Sequence, residues 1–81
     1  MNVATLHSDA ENARRCVRGE LLAEELTTSA RELVVAWLHR QRLTDAQIGR
    51  RVGLSTYTAA RIRARLALPA HPVPEVVPRG A

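Results

Sequence analysis

The sequence predicts an all-α fold, a small bundle of about four helices in one domain. Serine or threonine occurs where three of the helices would begin, each with an acid or amide three positions later; the pairs are Ser8 with Glu11, Ser29 with Glu32, and Thr44 with Gln47. Ser55 opens a fourth segment, and no alternating strand-like run lies between these starts. With 81 residues, the chain has room for one small core.

The first helix is expected from about residue 9 to residue 26, after a flexible N-terminus over residues 1–8. It contains Gly19, which costs about 1 kcal/mol relative to alanine, so the sequence leaves open whether the helix divides there. The single cysteine, Cys16, is expected to be a small apolar filler rather than a reactive thiol. The apolar side of this helix is modest: Ala13, Val17, Leu21 and Leu22.

A second helix is predicted from residue 30 to about residue 41. It carries one wide apolar stripe, made of Ala30, Leu33, Val34, Trp37 and Leu38. We interpret Trp37 as a core anchor rather than a binding-site residue.

Residues 44–66 are predicted to form a short capped helix, a turn containing Gly53, and a second capped helix. The positions expected to pack inward are Ile48, Val52, Leu54, Ala59 and Ile62. On the second helix, the helical period puts Ala59, Ile62 and Leu66 on one side and Tyr57, Arg61 and Arg65 on the other. Arg63 points nearer the core side and is interpreted as solvated surface.

The last segment, residues 69–81, contains all four prolines of the chain and cannot continue a helix. We expect a disordered tail whose removal leaves folding nearly intact. The prolines also argue against a paired β-wing.

Charge is distributed very unevenly along the chain. Residues 1–38 carry six acids and four arginines, residues 39–68 carry seven arginines and one acid, and residues 69–81 are neutral. A local basic excess of this kind is typical of a polyanion-binding surface and indicates nucleic acid, before a membrane, as the partner. The longest apolar run, residues 33–38, is too short to span a membrane, and the N-terminus lacks the pattern of a secretory signal, so a cytoplasmic location is expected.

An enzyme is not expected. The sequence has no paired carboxylates, no nucleophile with a base, and no glycine-rich phosphate loop. The three histidines, His7, His39 and His71, lie too far apart in the sequence for zinc-ligand spacing. We therefore expect neither a metal nor a cofactor.

The stretch "TDAQIGRRVGLSTYTAARIR" resembles the helix-turn-helix of phage repressors, of region 4 in sigma factors and of many bacterial regulators. The resemblance covers about a quarter of the chain. The matching positions are Ile48, Val52, Leu54, Ala59 and Ile62, a small residue at Gly49, glycine at Gly53, and hydroxyl residues at Ser55 and Thr58. The family usually has alanine at Gly49 and valine at Ala59, and both departures are expected to loosen the turn.

The resemblance implies that Thr56, Tyr57 and Arg61 face base edges in the major groove, into which residues 56–66 would insert. The residues expected to contact the DNA backbone are Thr44, Arg50, Arg51, Thr58 and Arg65. Asp45 suits the dipole of its helix but would repel a nearby phosphate.

The function expected from this resemblance is sequence-specific binding of double-stranded DNA by a small transcriptional regulator, either a repressor or a phage-type control protein, acting as a homodimer. The alternative is a protein-interaction module or an antitoxin. In that case the N-terminal helix or the C-terminal tail would bind a partner protein.

Overall fold

The computed structural model describes the backbone of residues 3–72 and the side chains of residues 7–72. Within these residues, the protein has four α-helices, one turn of 3-10 helix and no strand. The elements are α1 (Val3–Val17), the 3-10 turn (Ala23–Glu25), α2 (Thr28–Arg40), α3 (Asp45–Val52) and α4 (Thr56–Arg65). This confirms the predicted all-α bundle. None of the described helices has the length and apolar character needed to cross a membrane.

Helix α1 begins earlier and ends earlier than the sequence predicts. It starts at Val3, so Ser8 lies inside the helix and its predicted capping role is wrong. Residues 3–8 are therefore helical and not a flexible terminus; residues 1–2 lie outside the described part. The pattern of a hydroxyl residue followed by Glu11 also occurs in helix interiors, where it caps nothing.

Gly19 ends α1. Its φ of 86° is left-handed, a region that glycine enters without strain. The N–H of Gly19 donates to the Cys16 carbonyl at 3.0 Å, and the N–H of Glu20 donates to the Arg15 carbonyl at 2.9 Å. These bonds satisfy the last carbonyls of the helix. The predicted single helix over residues 9–26 is thus two elements, α1 and the 3-10 turn.

Helix α2 is capped by Thr27 rather than by Ser29. The Thr27 hydroxyl oxygen accepts a hydrogen bond from the Ala30 N–H at 3.1 Å and donates its own proton to Asp9 Oδ1 at 2.7 Å. Asp9 is buried on α1. The cap therefore also joins α1 to α2, a tertiary contact that no local sequence pattern contains.

The core draws on all four helices and the 3-10 turn. Its buried apolar residues are Ala13, Cys16, Ala23, Leu26, Ala30, Val34, Val35, Leu38, Ile48, Val52, Ala59 and Ile62. Trp37 packs against this cluster from its edge and is only half-buried. Leu22 is 51% exposed, so the prediction that it belongs to the apolar side is wrong. Cys16 is fully buried, and burial, followed by the nearby Glu25 carboxylate, raises the pKa of its thiol.

The first residues after α4 pack against α2 instead of being disordered. His39 Nε2 donates to the Pro69 carbonyl at 2.6 Å, and His71 Nε2 donates to the His39 carbonyl at 2.7 Å. The two imidazole rings stack with their centroids 4.0 Å apart. Residues 69–71 of the predicted tail are therefore ordered against α2, and residues 73–81 lie outside the described part.

Candidate nucleic-acid interface

Helix α3 starts with the capping box that the sequence predicts. The Thr44 hydroxyl oxygen accepts a hydrogen bond from the Gln47 N–H at 3.2 Å, and Gln47 Oε1 accepts one from the Thr44 N–H at 2.8 Å. Thr44 is buried, and its hydroxyl is engaged in capping α3.

The turn between α3 and α4 is tight because residue 49 has no side chain. The N–H groups of Gly53 and Leu54 both donate to the Gly49 carbonyl, at 2.8 and 2.9 Å. A Cβ on Gly49 would overlap the Leu54 carbonyl oxygen, which is a backbone atom. The expectation that glycine here loosens the turn is therefore wrong, since glycine lets the turn lie directly against α3. Gly53 ends α3 with a φ of 82°, as the prediction of a φ-permissive position requires.

Ser55 caps α4, as predicted. Its hydroxyl oxygen accepts a hydrogen bond from the Thr58 N–H at 3.0 Å. The same hydroxyl donates to Thr58 Oγ1 at 2.9 Å, which fixes the Thr58 side chain in the first turn of the helix. Thr56 is exposed beside it.

The two predicted faces of α4 are confirmed. Ala59 and Ile62 are buried, whereas Tyr57, Arg61 and Arg65 are exposed, with Tyr57 at 69%. Arg61 Nη1 donates to the Tyr57 hydroxyl at 3.3 Å, and its guanidinium carbon lies 5.7 Å from the centroid of the tyrosine ring. This cation–π contact restrains the Arg61 side chain on the exposed face.

Arg63 is not a solvated side chain, which corrects the interpretation made from the sequence. Its Nε lies 2.9 Å from Asp45 Oδ1, and the two side chains are only 17% and 18% exposed. Arg63 Nη1 also donates to the Leu68 carbonyl at 2.9 Å. The ion pair fastens the start of α3 to the end of α4. It also partly neutralises the Asp45 carboxylate, which reduces the repulsion of phosphate expected from that residue.

The sequence predicts that Arg50 and Arg51 of α3 contact the DNA backbone. Both side chains are exposed, but their surroundings differ. Arg51 Nη2 lies 3.5 Å from the Val17 carbonyl, at the end of α1. This long contact leaves the guanidinium accessible. Arg50 extends into solvent from the neighbouring position.

An open cleft of about 290 Å³ lies between α2 and α4. Its lining consists of Arg31, Tyr57, Thr58, Arg61, Ile62 and Arg65. The sequence reasoning missed Arg31, which belongs to the acidic half of the chain but is brought to α4 by the fold. Arg65 of this lining has an acid nearby, since its Nη2 lies 4.0 Å from Glu32 Oε2.

The arginines at the end of α1 and directly after it, by contrast, are paired with acids. Arg14 lies 3.2 Å from Glu11, while Arg15 and Arg18 share Glu20 at 3.4 and 2.6 Å. The hydrogen bond from Arg18 lowers the pKa of Glu20. Within residues 7–72, the arginines with no carboxylate within 4.0 Å lie on α2, α3, α4 and the turn after α2; they are Arg31, Arg40, Arg42, Arg50, Arg51 and Arg61.

Within residues 7–72, no three His, Cys, Asp or Glu side chains are grouped so that they could hold a metal ion. Comparison of the chain with protein families, with curated protein sequences and with solved structures finds no match.

Proposed function

We propose that this protein binds double-stranded DNA in a sequence-specific manner and acts in the cytoplasm as a small transcriptional regulator, either a repressor or a phage-type control protein. The observation that carries the proposal is the division of α4 into a buried side, with Ala59 and Ile62, and an exposed side, with Tyr57, Arg61 and Arg65. An α-helix with its side chains is about 10–12 Å wide, and the major groove is about 12 Å wide. Such a helix can enter the groove while its apolar side stays packed.

In this proposal, the first half of α4 reads bases. Thr56 and Tyr57 lie in its exposed first turn, which enters the groove foremost in a recognition helix. Arg61 follows one turn later and can donate two hydrogen bonds to the O6 and N7 atoms of guanine. The contact with Tyr57 limits the rotamers of Arg61, so less conformational entropy is lost when it binds.

The backbone contacts in this proposal come mainly from side chains flanking the turn. Arg50 and Arg51 approach phosphates from α3, and Arg65 does so from the end of α4. Thr58 is half-buried, and its backbone N–H already donates to the Ser55 hydroxyl, so only its own hydroxyl, held in place by Ser55, is left to contact a phosphate. Because Thr44 is buried in its cap, the proposal rests on the arginines and Thr58.

We further propose that the DNA-bound form is a homodimer. A single recognition helix reads only a few base pairs, and dimeric helix-turn-helix proteins place two such helices about 34 Å apart on one face of DNA. Light scattering of the DNA complex tests this. A strict one-to-one complex on a single half-site would contradict it.

The function is tested by selecting binding sites from random DNA and then titrating variants against the selected site and a scrambled site at several salt concentrations. Arg61→Ala should cost about 1–3 kcal/mol on the selected site and relax preference at one base pair. Arg50→Ala or Arg51→Ala should weaken both DNAs equally and reduce the salt slope by about one. Arg14→Ala is the matched control, because Arg14 lies on α1 beside Glu11.

Equal losses on both DNAs for Arg61→Ala would show that Arg61 contacts only phosphate. Base reading would then depend on Thr56 and Tyr57. Absence of any DNA binding at low salt would refute the proposal and favour a protein-interaction role.

A further inference from the structure

The cleft between α2 and α4 combines three guanidinium groups from two different helices. Arg31 comes from the first turn of α2, and Arg61 and Arg65 come from successive turns of α4. The cleft also contains the hydroxyl-bearing side chains of Tyr57 and Thr58. The carboxylate of Glu32, 4.0 Å from Arg65, offsets one of these positive charges. The lining therefore carries a net positive charge and many N–H donors.

Arg31 has a hydrogen-bonding deficit within the described structure. Its Nη2 donates to the Leu26 carbonyl at 2.9 Å, but its Nε is buried and has no hydrogen-bond partner. A buried donor without an acceptor is unfavourable, and buried polar groups in native proteins are nearly always paired. A ligand that brings several acceptor oxygens into the cleft would allow the guanidinium to turn and satisfy this group.

The chemistry of the lining favours a phosphate group as the ligand. Phosphate oxygens accept charge-assisted hydrogen bonds from guanidinium groups, often two from the same arginine. The cleft is open to solvent, so the phosphate can carry further groups on its outer side. A phosphodiester within a nucleic-acid backbone meets this requirement.

We propose that the cleft binds a phosphate group, with Arg31 and Arg65 as its principal donors. This inference rests on the proposed function to the extent that the phosphate belongs to the DNA backbone beside the groove that α4 enters. Arg61, which lines the same cleft and is restrained by its hydrogen bond to Tyr57, remains available for a base. A phosphate held between α2 and α4 fixes the rotation of α4 in the groove, which makes Arg31 a positioning residue for base recognition.

The first arm of the test compares Arg31→Gln with Arg14→Gln, which removes the same charge from an exposed site on α1. Arg31→Gln should weaken binding about 5- to 10-fold on selected and scrambled DNA alike and reduce the salt slope by about one, because one phosphate contact is lost. Arg14→Gln should change neither quantity. Arg31→Lys should restore the salt slope, which separates loss of charge from a disturbed fold, and thermal unfolding of each variant checks folding directly.

In the second arm, inorganic pyrophosphate is added to the protein without DNA. Its binding is monitored through the NMR resonances of the arginine Nε–H groups, at constant ionic strength and with chloride as the comparison ion. Saturable movement of the Arg31 and Arg65 resonances with pyrophosphate, but not with chloride, supports the cleft as a phosphate site.

The two arms separate failure of the cleft from failure of the proposed function. If wild-type protein binds DNA but Arg31→Gln behaves like Arg14→Gln and the Arg31 resonance stays still, the cleft proposal is overturned and DNA binding stands. If DNA does not bind, or binds equally well to both variants, but pyrophosphate moves the Arg31 resonance, the cleft is a site for a free phosphate-bearing molecule. If neither DNA nor pyrophosphate binds, both proposals fail.

Discussion

Gly49→Ala should destabilise the protein even though alanine is the better helix former. At an ordinary helical site, this change gains about 1 kcal/mol. Gly49, however, faces the turn, and the added methyl would overlap the Leu54 carbonyl oxygen. The obstacle is backbone, so no side-chain rotation relieves it.

The expected loss of stability is estimated from the displacement of the turn that the added methyl requires. Forcing a methyl into a packed site costs about 1–3 kcal/mol, and the upper part of that range applies when the obstructing atom is backbone. Displacing the turn also weakens the bond from the Leu54 N–H to the Gly49 carbonyl, now 2.9 Å, which contributes about 1 kcal/mol. After the helix-propensity gain is subtracted, we expect a net loss of about 2–3 kcal/mol. For a domain of this size, that corresponds to a decrease in Tm of roughly 10–20 °C.

The assay is thermal and urea unfolding followed by circular dichroism. Gly19→Ala is the matched control, because Gly19 has a left-handed φ but nothing within 4 Å of an added Cβ. It should lose only the cost of conformational strain, about 1–2 kcal/mol. If Gly49→Ala unfolds at or above the wild-type temperature, the turn can open without cost, and our account of its tightness is wrong.

Three further predictions concern contacts outside the turn. A double-mutant cycle with Asp45→Asn and Arg63→Met should give a coupling energy of about 1–2 kcal/mol. This exceeds the value for an exposed ion pair, because both side chains are mostly buried. A coupling energy near zero would contradict a stabilising role for the pair. Deleting residues 69–81 should lower the unfolding free energy by about 1–2 kcal/mol, because it removes the two hydrogen bonds to α2; an unchanged stability would show that these bonds contribute nothing. The Cys16 thiol should react with an alkylating reagent at pH 8 at least about 100-fold more slowly in native protein than in urea. The reaction requires opening of the structure, and burial raises the pKa of the thiol. Rapid labelling of the native protein would show that α1 opens readily.

The pH dependence associated with Cys16 has a definite sign. Because its folded-state pKa is raised, the native protein retains the thiol proton at a pH where the unfolded chain has lost it. The contribution to stability is therefore fully present below the unfolded pKa and is lost as pH rises toward the folded value. Replacing Cys16 with alanine should remove this alkaline dependence.

The caps of α3 and α4 were predicted correctly from the sequence. Thr44, with Gln47 three positions later, and Ser55 are each the first hydroxyl residue of their segment, and both cap as expected. At the start of α2, three hydroxyl residues are consecutive, and the choice of Thr27 depends on its bond to Asp9. That bond joins residues far apart in sequence, so no local pattern could identify it.

The faces of α4 were predictable because helical period alone sorts Ala59 and Ile62 from Tyr57 and Arg61. The fate of Arg63 was not. The helical period places Arg63 nearer the core side, which indicated that it is not fully solvated. Its partner Asp45, however, is eighteen positions away in the sequence, so no local pattern identifies the pair. A charge near an apolar face should therefore prompt a search for a buried partner before it is treated as solvated.

Charge counted along the chain is a poor guide to charge on the surface, and this bears directly on the candidate interface. Arg63 contributes to the basic count of residues 39–68 but is neutralised by Asp45. Arg31 belongs to the acidic segment yet lies in the cleft beside α4. The charge count of residues 39–68 already includes Asp45, so the fold adds Arg31 to this basic surface, which extends from α4 onto α2. If DNA binds there, the salt slope should depend on Arg31 and be insensitive to charge-neutralising changes at Arg14 and Arg15 of α1, each of which already faces an acid.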